Sequence, residues 1–140
     1  MLKLSLEYRE SGVILAMKPA NLKQLQTRAR KLIVRRVTRD TYAVSSDSQP
    51  NLQHIVTVRM GDDGAIHARC TCPWSHHGGF GCVHVMAVLH HKAERRQRRI
   101  SFWRTREEAE RQHKRVLRLA GSRDDALFIT SRPLPIKTAA

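Results

Sequence analysis

CTCPWSHHGGFGCVH, residues 70–84, holds all three cysteines of a 140-residue chain and three of its eight histidines. Cys70 and Cys72 are two apart, Cys82 and His84 are two apart, and nine residues separate the pairs. Three cysteines cannot all pair as disulfides, and a reducing compartment disfavours such bonds, so metal ligation is the better use for the whole set. Side chains two apart on a strand share a face, so Cys70 and Cys72 at a strand end can reach one ion. In a regular helix the same spacing separates side chains by about 200°. Cys82 is therefore expected at or before the first turn of a helix, with His84 just inside it. Gly78, Gly79 and Gly81 let the intervening loop fold back, and Pro73 helps to stop the strand.

Three thiolates and an imidazole make a closed tetrahedral set, the composition of a structural zinc site. Soft sulfur disfavours magnesium and calcium, and iron is less well served without a fourth cysteine. His76 and His77 compete by proximity but read as solvated loop residues. His67, three positions before Cys70, points to the opposite strand face. His90 and His91 lie about two turns into the helix, too far to coordinate easily. A nucleophilic Cys82–His84 pair would leave Cys70 and Cys72 unexplained, so no enzyme is expected.

Outward from the cluster, HIVTVRM (54–60) and AIHARC (65–70) flank GDDG, a strong hairpin signal. HVMAVLHHKAERRQRR (84–99) contains neither Gly nor Pro and reads as one helix, apolar all round in its first half and basic in its second. Further upstream, VRRVTRDTYAV reads as strand, turn, strand. Leu22, Leu25, Ala29, Leu32 and Ile33 line one face of a helix opened by Pro19 and Asn21. Residues 2–17 read as two short strands. Downstream, ISFWR looks extended, and Thr105 with Glu108 forms a capping box. REEAERQHKRVLRLA reads as helix, ALFITS as a last strand, and RPLPIKTAA as a frayed tail.

The CxC…CxH arrangement, at the end of a hairpin and the start of a helix, resembles the SWIM zinc finger. TYAV upstream, CPW after the second cysteine and GCVH at the helix start are similar to that family. The resemblance covers roughly residues 53–90. It implies a ββα zinc finger with Cys70, Cys72, Cys82 and His84 as ligands, and a role in binding DNA or other proteins. The chain reads as a small stand-alone member.

Charge supplies the other argument. Lys and Arg outnumber Asp and Glu by 26 to 12, a formal +14 that favours polyanions, nucleic acid before membrane. On the helix after the cluster, Lys92, Arg95, Arg96 and Arg99 are expected to form one stripe, flanked by Arg98, that contacts phosphate. Arg28, Arg30, Lys31, Arg35, Arg36 and Arg39 form a second basic run, of which all but Arg39 are expected to bind nucleic acid. Residues 106–118 mix basic and acidic side chains and read as ordinary solvated surface. Trp74 and Phe80 either pack over the metal or stack on bases, and Phe102 and Trp103 are expected to glue the C-terminal unit to the finger.

The reading is an α+β protein. Residues 1–20 form an N-terminal extension, 21–99 a zinc-finger domain with its preceding helix and strands, and 100–140 a strand–helix–strand unit packed on it. No stretch approaches the roughly 18 apolar residues of a membrane span, and no signal peptide is evident, so a cytoplasmic, zinc-dependent nucleic-acid-binding protein is expected, with DNA favoured over RNA. A protein-interaction adaptor in recombination, repair or a mobile element is the alternative.

Overall fold

The computed structural model describes residues 18–46, 49, 51–76, 79–121 and 125–135. The strands expected within residues 2–17, His77, and the tail beyond residue 135 lie outside the described residues. Helix α1 (Leu22–Ala29) begins where Asn21 caps it, its Oδ1 accepting the Gln24 N–H at 3.1 Å. Its buried face is Leu22, Gln26 and Ala29, one helical stripe. Gln26 is the polar member of that stripe, and both ends of its amide are satisfied by the backbone of one residue, Phe102. It donates to the Phe102 carbonyl at 3.2 Å and accepts the Phe102 N–H at 3.0 Å.

Four strands follow as an antiparallel meander: β1 (Ile33–Arg36), β2 (Thr41–Ser45), β3 (Gln53–Met60) and β4 (Ile66–Cys70). Then come α2 (Pro73–His76), α3 (Val83–Glu94), β5 (Arg98–Trp103), α4 (Arg106–Gln112), β6 (Leu117–Ala120) and β7 (Ala126–Pro133). The described strands form one seven-stranded sheet in the order β1-β2-β3-β4-β6-β7-β5. Every neighbouring pair is antiparallel except β4 and β6, which run parallel with Ile66 opposite Leu119.

The sheet curls around α3. That helix packs against α1, against β5 at one edge and against β1 to β4 in the other half. Val85 to His90 are all buried, because a helix held inside a curled sheet has no free face. Alternate residues of the strands share one buried core with it: Tyr42 and Val44 of β2, Val56 and Val58 of β3, and Leu119, Leu127 and Ile129 from β6 and β7. No helix among the described residues is long and apolar enough to cross a membrane.

The α+β class holds, but the expected ββα finger is not a separate unit. Its hairpin is β3–β4, two central strands of a larger sheet, and its helix is the core around which the whole sheet closes. Two helices are also shorter than expected. α3 stops at Glu94, Arg95 caps it, and the chain reverses through Gln97 at φ 62° into β5. β5 pairs along its full length with β7, and that gain outweighs continuing a helix of crowded like charges. α4 keeps its capping box, with the Glu108 N–H donating to Thr105 Oγ1 at 3.2 Å, but ends at Gln112. Leu117 and Leu119, two apart, fit the period of a strand, and their segment is recruited as β6 between β4 and β7.

Gly81 sits where the loop turns into α3. Its φ of +66° is a left-handed conformation, and a Cβ built there would lie 2.5 Å from Cδ1 of the fully buried Leu127. Gly81→Ala is expected to cost about 1–2 kcal/mol from the backbone alone, with crowding against Leu127 added. Urea denaturation of the zinc-loaded protein reads this directly. An unchanged midpoint would show that the loop is not held in this turn.

Candidate metal centre

The four sequence-expected ligands come from three local structures. Cys70 is the last residue of β4. Pairing carries on for one more residue, since Thr71 N–H donates to the Ile55 carbonyl and Ile55 N–H to Thr71 Oγ1, at 3.2 and 3.0 Å. This holds the strand end rigidly against β3. Cys72 lies past the strand, where the chain bends into α2; the His76 N–H donates to the Cys72 carbonyl at 3.0 Å. Cys70 and Cys72 therefore converge through this bend, not through a shared strand face. Cys82 is the N-cap of α3, its sulfur accepting the Val85 N–H at 3.5 Å, and His84 is the second helical residue. A helix N-terminus favours a thiolate, so the capping position serves the sulfur chemically as well as geometrically.

One donor atom from each of the four residues lies within 4.8 Å of the other three. His84 Nδ1 is 3.6 Å from Cys70 Sγ and 3.9 Å from Cys82 Sγ. Tetrahedral zinc with Zn–S of about 2.3 Å and Zn–N of about 2.0–2.1 Å requires S···N edges of about 3.6 Å, so the spacing fits that ion. Cys72 is 3% exposed and Cys82 5%. Contact with the Cys82 sulfur, then burial, pushes the Cys72 thiol up to about 12; contact with Cys70, with burial added, pushes Cys82 up to about 12. Three sulfurs packed this closely resist ionisation unless a cation sits among them. Zinc supplies that charge and ties β4 to α3.

The surroundings fix the donors. The His54 ring of β3 packs against His84 at a tilt of 42°, with centroids 4.2 Å apart, a contact to which the ligand spacing gave no clue. Burial first, and the His84 charge second, lower the His54 pKa, which favours a neutral ring beside the metal. Trp74 Nε1–H donates to the Phe80 carbonyl at 3.1 Å, and a Cβ at Gly79 would fall 2.3 Å from the Trp74 ring. Trp74 and Phe80 are both half-buried against the core, so they staple the loop. His67 is engaged by Asp63 at 3.1 Å, and His67, His76, His90 and His91 all stand outside the four-residue cluster.

The basic residues are rearranged relative to expectation. The single stripe of Lys92, Arg95, Arg96 and Arg99 does not exist, because α3 ends before three of its members. Lys92 is in the last turn, Arg95 caps the helix, Arg96 is in the turn, and Arg98 and Arg99 are on β5, where neighbours point to opposite faces. Arg99 instead joins the earlier run. The Arg30 pKa is lowered by partial burial first, then by the charges of Arg99 and Arg132. Arg28 is exposed on α1, Lys31 follows that helix, and Arg35 and Arg36 are exposed on the edge strand β1.

Comparison with curated proteins and with solved structures returned no match. Residues 54–93, from the β3 strand to the last turn of α3, match the family model of the SWIM zinc finger, and they contain all four members of the cluster; the chain carries a SWIM zinc finger.

Proposed function

We propose that this is a zinc-dependent nucleic-acid-binding protein, with no catalytic role, in which the metal shapes the fold and basic side chains hold phosphates. The observation that carries the reading is the excess of unneutralised cation. The formal charge is +14, and the ion pairs among the described residues involve only Lys18, His67 and Arg118 on the basic side. Zinc with three thiolates and a neutral imidazole carries a net single negative charge, so the metal centre itself is no phosphate site. Four protein ligands also leave no coordination position for an activated water. DNA is favoured over RNA because DNA binding is what the finger's resemblance implies.

The adaptor reading has its own observation. An apolar hollow of about 360 Å³ adjoins the cluster, with Pro19, Leu25, Trp74 and Val83 among its walls, and such a surface suits a protein partner. Salt separates the two. Binding of labelled DNA or RNA, followed by anisotropy, is expected to weaken tenfold or more between about 50 and 200 mM salt, because phosphate contacts release counterions. Association insensitive to salt, or no nucleic-acid binding at low salt, would favour the adaptor.

A further inference from the structure

We infer that the open end of the curled sheet, at the opposite end of α3 from the metal centre, seats a short stretch of single-stranded nucleic acid. This rests on the nucleic-acid reading above and gives it a location. Arg59 of β3, Lys92 and Arg96 at the end of α3, Arg98 of β5 and Arg115 from the α4–β6 connection line one cleft of about 610 Å³. Asp40 is the sole carboxylate among its lining residues. Five cations from four separate parts of the chain thus border one space.

No ion pair among the described residues includes any of the five. Lys92 donates to the Tyr42 hydroxyl at 3.3 Å and Arg98 donates to Ser131 Oγ, both neutral partners. Holding like charges around a concave surface costs repulsion, and the low-dielectric walls strengthen the field there. An anionic ligand would relieve it.

The floor decides which anion. Beneath the cationic rim lie Leu89, Ile100, Leu117 and Ile129, with Met60 at the mouth, 59% exposed. The volume falls within the roughly 300–1,000 Å³ that encloses a small organic molecule, the scale of one or two nucleotides. A simple anion would have no use for the apolar floor. A duplex keeps its base faces stacked inside and could offer the cleft only phosphates. A single strand offers both parts at once, unstacked base faces for the floor and phosphates for the rim.

The test uses the full-length zinc-loaded protein and a labelled twelve-residue oligothymidylate. A cleft variant, R59E/R96E/R115E, reverses three exposed guanidiniums. A control, K23E/R69E/R111E, reverses three exposed cations outside both the cleft lining and the 28–39 run. The cleft variant is expected to lose at least tenfold in affinity with zinc content and far-UV spectrum unchanged, the control no more than about threefold. R59Q/R96Q/R115Q, which neutralises without reversing, is expected to fall between wild type and the reversal. Unlabelled duplex of the same length should compete at least tenfold less well than the single strand. Equal losses in the two reversal variants, or equal competition by duplex, would overturn the cleft assignment while leaving the function reading intact. Wild-type protein that binds neither form would remove both.

Discussion

Chelating zinc at neutral pH is expected to remove the fold together with the metal. The cluster sits where the end of β4, the bend at Cys72 and the N-terminus of α3 meet, and α3 is the helix around which both halves of the sheet close. Apparent zinc-binding free energies in small structural sites are about 10–16 kcal/mol, comparable with the whole stability of a domain, about 5–15 kcal/mol. Cys72 and Cys82, with thiols pushed up to about 12, return to solvent unopposed once the cation is gone. Metal analysis should give one zinc per chain. Far-UV circular dichroism should fall on chelation and recover with zinc or with cobalt, which accepts the same tetrahedral donors. Cys82→Ser and His84→Ala should lose metal and structure together, whereas His76→Ala, outside the cluster, should keep both. A chelated protein with an unchanged spectrum would show that the sheet stands without its metal, and would reduce the site to a local clasp.

What could be read in the sequence followed interaction range. The ligand set was legible because its signal is local, two short spacings around a glycine-rich loop. The hairpin β3–β4, the Asn21 start of α1 and the capping box of α4 were legible for the same reason, since turn and cap chemistry lies within a few residues. The ends of α3 and α4 were not. Segment 95–99 has no helix breaker, and only pairing with β7, some thirty residues on, draws Arg98 and Arg99 into the strand whose later part, ISFW, already reads as extended. No Gly or Pro interrupts residues 106–120, so nothing local stops the helix, and the place between β4 and β7 takes Leu117 and Leu119 into a strand. The cleft suffered most. Arg59 and Arg115 are 56 positions apart in sequence, and nothing in either neighbourhood announces that they share a space. Arg115 even lay in a segment whose mixed charge reads as plain surface. Local chemistry marked the metal, while the arrangement of cations waited on the sheet.

Lowering the pH from 7 to 5 is expected to cost about 2 kcal/mol through His90 alone. This residue is 4% exposed in the middle of α3, its ring edge-on to Phe102 with centroids 5.5 Å apart, and among the described residues its Nε2 finds no hydrogen-bond partner. Burial first, then the charges of Arg30 and Arg99, lower its pKa from 6.5 to about 4. The folded state therefore holds the neutral ring, and the unfolded chain takes up the proton first as the pH falls. Stability is full above about pH 6.5, declines through the window between 6.5 and 4, and is about 3 kcal/mol lower once the folded ring also titrates. His90→Leu removes both the titrating group and the orphaned nitrogen. It is expected to raise stability at pH 7 by about 1 kcal/mol, the lower end of the cost of an unpaired buried polar atom, and to flatten this part of the acid limb. Urea denaturation of wild type and variant at pH 7 and pH 5, both saturated with zinc, isolates the effect, because acid release of metal from the thiolates is common to the two proteins and cancels in their difference. Parallel losses in wild type and His90→Leu would place the acid sensitivity in the metal ligands and leave His90 as a silent member of the core.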